Sequence, residues 1–216
     1  GIGFELSVLY AQNGYGLVLV SSSKEHLENT ENRLNEQYSV PILIYEQDLT
    51  KQGAALELYN KIKQKKLDVT VLINNAGFGL VGATDEINLS IDEQMMMLNM
   101  INLVSLSKLI ILDMYRNKKG KILNVSSTGA FQPGPYTSTY FASKAFVLSY
   151  SRAIRYEAKA RGVQICILCP GATKTGFFRR EGTATPNKAM LPEQVARIAF
   201  RGLMKNKEII IPGLKK

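Results

Sequence analysis

Short runs of aliphatic and β-branched residues alternate with longer amphipathic stretches along nearly the whole chain, and this alternation restricts the possible fold more than any other feature. Residues 17–20, 41–45, 69–73, 121–125, 163–169 and 208–211 are almost unbroken in apolar side chains. That is the pattern of strands covered on both faces, since a strand with one wet face alternates. Between them, residues 4–13, 24–37, 52–66, 91–117, 137–161 and 192–205 carry apolar residues at helical spacing. Gly14, Gly120 and Gly162 stand just past helical runs, where a left-handed cap is wanted. Strand and helix in strict alternation mean crossover units, a parallel sheet and helices on both of its faces. The expectation is one doubly wound α/β domain over residues 1–216.

Composition removes several chemistries. The chain has 216 residues and a single His, so the two- and three-His metal centres are excluded. His26 lies in Lys24-Glu25-His26-Leu27-Glu28 and reads as a solvated helix residue. Cys166 and Cys169 have the spacing of a redox or zinc pair. However, they share one strand, where an odd separation points two side chains to opposite faces, so buried reduced thiols are expected. The net charge of +9 raises the question of nucleic acid. The basic residues are scattered, in short runs such as Lys63-Gln64-Lys65-Lys66 and Lys118-Lys119, with no nucleic-acid-binding motif, and no such partner is expected. No apolar run reaches the ~20 residues of a membrane span, and the N-terminus has no signal-peptide pattern. A cytoplasmic location and no membrane span are the expectations.

Ligands of doubly wound sheets bind beyond the carboxyl ends of the strands, and there this chain carries small and polar clusters. They are Gln47-Asp48-Leu49, Asn74-Asn75-Ala76-Gly77, Ser126-Ser127-Thr128-Gly129 and Pro170-Gly171-Ala172-Thr173-Lys174-Thr175. Further along, Tyr140 and Lys144 are four apart in a helical stretch and so share a face. A phenol titrates near ~10, too high for acid–base work at neutral pH, and a neighbouring cation favours its ionised form. Ser127 precedes Tyr140 by thirteen residues, and Asn99 lies on the long helix before that strand.

Asn74-Asn75-Ala76-Gly77, Asn99, Ser127, Tyr140-x-x-x-Lys144 and Pro170-Gly171-x-x-x-Thr175, in this order and spacing, resemble the short-chain dehydrogenase/reductase family over essentially the whole chain. The resemblance implies a Rossmann-type fold, a nicotinamide cofactor and hydride transfer between it and a carbonyl or alcohol carbon. It implies that Tyr140 is the acid/base, that Lys144 lowers the Tyr140 pKa and binds the nicotinamide ribose, and that Ser127 donates to the substrate oxygen. Asn99 would hold a water beside the lysine, leaving nearby Asn102 as helix surface. For the cofactor, Gly1-Ile2-Gly3 is similar to the end of the family's glycine-rich turn, and Asp48 and Leu49 to its adenine contact. Asn75, Ala76 and Gly77 would line the adenosine side, and Pro170, Gly171, Thr173 and Thr175 the nicotinamide side.

At the end of the strand at 17–20 stand Ser21, Ser22, Ser23 and Lys24, with no acid until Glu25. An acid there would repel a 2′-phosphate, so NADP(H) is favoured over NAD(H). A small-molecule carbonyl or alcohol substrate is expected, with Phe78, Phe131, Pro133, Tyr136, Phe177 and Phe178 as candidate pocket walls. Within a lid expected at about residues 173–190, the segment 176–182 resembles the family's mobile substrate lid: Phe177 and Phe178 either close over an apolar substrate or simply pack, while Arg179 and Arg180 either meet an acidic one or are solvated. Alternative readings are a non-catalytic nucleotide-sensing relative and a basic nucleic-acid-binding protein. The family implies a homodimer or homotetramer built on the helices around 91–117 and 137–161. Against the family pattern the chain opens halfway through the glycine-rich turn, so its first strand, which would lie between those starting at Leu17 and Val69, is expected to be missing.

Overall fold

The computed structural model describes residues 1–213; the last three residues of the expected domain lie outside them. The first half of the chain runs α1 (Ile2–Gln12), β1 (Leu17–Ser21), α2 (Lys24–Asn35), β2 (Ile42–Glu46), α3 (Ala54–Gln64) and β3 (Val71–Asn74). A long helical run follows, made of α4 (Leu89–Met96), a π-helical turn (Met97–Ile101) and α5 (Asn102–Arg116). Then come β4 (Gly120–Val125), a 3₁₀ turn (Thr128–Phe131), α6 (Ser138–Lys159), β5 (Val163–Leu168), α7 (Phe177–Glu181), α8 (Pro192–Met204) and β6 (Ile209–Ile210). Local chemistry sets several of these starts. The Ser23 hydroxyl caps α2 by accepting from the His26 N–H, Asn88 caps α4, and α8 opens on a proline, which is pre-set for a first helical position.

Every strand pair is parallel. β3, β4, β5 and β6 form one sheet in that order, and β1 pairs only with β2. Between β1 and β3 lies a mostly apolar slot of about 510 Å³, walled by Val18, Val20, Leu72 and Ile73 among others. The break falls between the strands starting at Leu17 and Val71, where the sequence reading expects a strand to be missing. Parallel sheets flanked by helices, the doubly wound class expected, are therefore present in two pieces.

The two faces of the larger sheet pack against different helices. Leu123, Cys166 and Leu168 meet Leu6 of α1 and Val195 and Leu203 of α8. Their strand neighbours Ile122 and Ile165 meet Leu58 of α3 and Ile110 and Met114 of α5. The period-two alternation of strand side chains is what divides them. Both cysteines are free and buried. By length and composition Leu89–Arg116 could cross a membrane, with a mean hydropathy of 1.8 in its most apolar part, although the sequence reading expects no span. Half of that part is buried inside the protein, where Leu106, Ile110 and Met114 form core.

Candidate active site

β4, β5, the π-helical turn and α6 bring the chemistry-bearing residues together. α6 carries Tyr140 and Lys144 on one face, with the Lys144 Nζ 5.7 Å from the centre of the Tyr140 ring. Lys144 is buried and donates to the Val125 carbonyl at 3.0 Å, while the Ser126 hydroxyl donates to the Lys144 carbonyl at 2.7 Å. These two bonds fasten α6 to the end of β4. Ser127 follows in extended backbone; its hydroxyl accepts from the Gly129 N–H at 3.0 Å and lies near enough to the Tyr140 phenol to favour its ionised form.

Asn99 sits on the π-helical turn, a feature that turns up often where function needs a helix re-aimed. Fully buried, its amide donates to the Phe78 carbonyl and to the Ser143 hydroxyl, both at 3.0 Å, and accepts from the Phe78 N–H. Ser143 in turn donates to the Tyr140 carbonyl. Asn99 thus ties the loop after β3 to the helix that holds Tyr140. Gly77 lies where a Cβ would come within 2.9 Å of the Asn99 Oδ1 and 3.2 Å of the Lys144 Nζ, so only glycine lets the backbone pass between them.

Burial dominates the electrostatics. It pushes the Tyr140 phenol up to about 12; the Ser127 hydrogen bond opposes this and the Glu181 carboxylate adds to it. It brings the Lys144 ammonium down to about 8. Whatever the Lys144 cation, 5.7 Å from the ring centre, contributes toward the phenolate is outweighed in this arrangement. The desolvation of the phenol is the larger effect, and the lysine is itself desolvated and aimed at the Val125 carbonyl.

Tyr140, Lys144, Ser127 and Gly77 open onto one cleft of about 820 Å³, whose far walls are Gly1, Ile2 and Gly3 at the start of α1 and the loop after β5. The short chain dehydrogenase family model matches residues 1–185. The chain belongs to the short-chain dehydrogenase/reductase family. It is 34% identical over 188 residues to human 17-beta-hydroxysteroid dehydrogenase type 3, covering 83% of this chain and 58% of that protein. It is 30% identical over 210 residues to the very-long-chain 3-oxoacyl-CoA reductase of Anas platyrhynchos, covering 93% and 64%. The chain spans between half and two-thirds of the length of these curated relatives. Among solved structures it resembles a short-chain dehydrogenase from Sphingobium yanoikuyae in complex with NADPH, with a TM-score of 0.94, 27% identity and coverage of 100% and 85%. A bulky-bulky ketone specific alcohol dehydrogenase from Comamonas testosteroni gives 0.90, 28%, 100% and 83%.

Of the dehydrogenase residues expected at the cofactor, Gly1, Ile2, Gly3, Ser21, Asn75, Gly77, Pro170, Gly171, Thr173 and Thr175 line this cleft. Others do not. Ser23 spends its hydroxyl on capping α2, and Lys24 faces solvent beside Glu28 at 3.6 Å. Asp48 is held by the N–H and hydroxyl of Thr50, which keeps its carboxyl below the usual range. Leu49 and Ala76 line the slot between the sheets; Ser22 is exposed off the cleft wall. Phe177 and Phe178 line the cleft, the Phe177 ring 5.3 Å from that of Tyr140. Phe131 and Tyr136 point outward, 53% and 66% exposed, because the 3₁₀ turn and a left-handed backbone at Tyr136 rotate them away. Phe78 is buried beneath the Arg180 guanidinium, 4.7 Å from its ring centre.

Two further residues line the cleft, and a third is buried where helix surface was expected. His26, exposed on α2 as expected, lines it. Glu181, from the expected lid segment, also lines it, is buried, and has its carboxyl pushed up by burial. Asn102, expected on the helix surface, is 3% exposed. It donates to the Leu49 and Lys51 carbonyls and accepts from the Ala55 N–H, bracketing the β2–α3 loop.

Proposed function

We propose that the chain is an NADP(H)-dependent reductase of bulky, apolar carbonyl compounds, in which Tyr140 protonates the substrate oxygen. The observation that carries this reading is the convergence of Ser127, Tyr140 and Lys144 on the cleft that also holds the glycine-capped start of α1. The residues fit a dinucleotide. Gly1 caps α1 with no side chain on its free N–H groups, which leaves them for a pyrophosphate. A Cβ at Gly3 would come within 2.7 Å of the Asn75 side chain, so the bare backbone keeps that passage open. The 2′-phosphate preference rests on Ser22 and Lys24, exposed just after β1; Lys24 pairs with Glu28 at 3.6 Å, a surface pair weak enough to open.

When bound, the nicotinamide supplies the hydride. Ser127 donates to the carbonyl oxygen as negative charge gathers there, the situation in which a fixed donor contributes most. Tyr140, held as a phenol at neutral pH, gives that oxygen its proton. Lys144 places a buried cation beside the phenol and stabilises the phenolate left behind. Phe177 and Phe178 form an apolar wall that keeps water from the reacting carbon. The names of the relatives point the same way: a hydroxysteroid, a very-long-chain oxoacyl thioester and a bulky ketone are all large and mostly apolar.

The test is NADPH consumption across ketones graded in bulk, repeated with NADH. Turnover is expected to rise with apolar bulk and to favour NADPH. Equal use of NADH, or preference for small polar carbonyls, overturns the corresponding half of the reading.

A further inference from the structure

In a parallel sheet with helical crossovers, each helix returns the chain to the same edge, the one opposite the catalytic cleft. The turns after α3, α5, α6 and α8 feed β3, β4, β5 and β6, which are neighbours in that order, so the four turns form a row. They touch in sequence. Asn117 donates to Asp68 at 3.0 Å, the Arg161 guanidinium lies 4.9 Å over the Tyr115 ring, and Arg155 donates to the Asn206 side chain at 2.7 Å.

This row gathers basic residues that look dispersed along the chain. Lys63, Lys65 and Lys66 close the first turn and Arg116, Lys118 and Lys119 the second, all exposed. Lys159 and Arg161 follow in the third, Lys205 and Lys207 in the fourth, again all exposed. Among the described residues, the carboxylates in these turns are Asp68, Asp113, Glu157 and Glu208. Helix C-termini attract cations, but the attraction fades beyond the last turn and does not account for two or three at each end. Lys66 and Lys118 also hold left-handed backbone, φ 54° and 49°, where Gly162 stands in the matching turn after α6. A lysine there costs about 1 kcal/mol more than glycine, so the turn geometry itself gives no reason for these cations.

We propose that this edge docks the protein on an anionic lipid bilayer. The cations suit a diffuse negative surface better than a nucleic acid. Eight of the ten named are lysines, compact point charges. The two arginines, whose planar fork reads phosphates and bases, are already engaged, Arg116 with Asp113 at 3.1 Å and Arg161 on Tyr115; of the lysines, Lys63 shares Asp113 at 3.1 Å. Tyr156, 86% exposed beside this edge, supplies the amphipathic ring that sits well at a headgroup layer. Docked this way, the cleft mouth at the opposite edge still faces the solution from which a soluble dinucleotide arrives.

The experiment is co-sedimentation of the intact chain with vesicles of phosphatidylcholine alone or mixed equally with phosphatidylserine. Each juxtamembrane lysine contributes about 1 kcal/mol at an anionic surface, so binding to the mixed vesicles is expected to exceed that to the neutral ones by tenfold or more. Binding is also expected to be lost at about 0.5 M salt, where screening is short-ranged. The variant Lys65→Glu/Lys66→Glu/Lys118→Glu/Lys119→Glu is expected to lose that binding with circular dichroism and NADPH consumption unchanged. Equal binding to both vesicles, or none to either at low salt, overturns the proposal; the salt arm decides this without any variant. Retention on duplex DNA at salt that releases the vesicles overturns it in favour of nucleic acid.

Discussion

Tyr140 stays protonated through the physiological range because burial pushes its phenol up to about 12, whereas Lys144 loses its proton near 8. Carbonyl reduction needs the phenol proton and is helped by the ammonium. As pH rises, the lysine is therefore the first group to fail: the rate of reduction should be flat below about pH 8 and fall above it, long before the tyrosine ionises. A profile of single-turnover rate against pH checks this, and a rate that climbs from pH 8 to 10 contradicts it. Asn102 makes three buried hydrogen bonds to backbone. Asn102→Ala strands those groups, so a loss of about 2–4 kcal/mol is expected in urea unfolding, with the cleft chemistry intact. The two kinds of residue were not equally legible. Ser127, Tyr140 and Lys144 declare themselves by chemistry at fixed spacing. Asn102 and Glu181 look like ordinary polar residues, because their partners lie far off in sequence or come from backbone that only the fold brings near.

β4 and β5 are bonded to strands on both sides, while β2 and β6 lie at sheet edges. Exchange opens the least supported strands first. Hydrogen exchange is therefore expected to label amides of β2 and β6 on the order of a hundredfold faster than those of β4 and β5; uniform protection across these four strands contradicts the strand order. Element positions were largely readable because each run is long enough to show its period. The helix expected over 52–66 begins at Ala54 and ends at Gln64, for example. α7 was not readable, since Phe177-Phe178-Arg179-Arg180-Glu181 spans little more than one turn. The π-helical turn leaves no trace in the apolar pattern either, as one extra residue in a long helix shifts the stripe only slightly.

The whole molecule separates its tasks by edge. The carboxyl ends of the strands carry the cleft, and the opposite ends carry most of the excess positive charge. That separation was hidden in the sequence, where Lys63-Gln64-Lys65-Lys66 and Lys118-Lys119 are more than fifty residues apart and only the strand order makes them neighbours. The proposed chemistry needs the cleft to be a site of hydride and proton transfer, not of nucleotide binding alone. Tyr140→Phe tests this most directly, because it removes one hydroxyl from the cleft wall and keeps the ring against Phe177. With NADPH and a bulky ketone, single-turnover oxidation of the cofactor should drop by about 10²–10⁴-fold while NADPH affinity is unchanged. Turnover equal to that of the parent chain would contradict the role given to Tyr140 and the mechanism built on it.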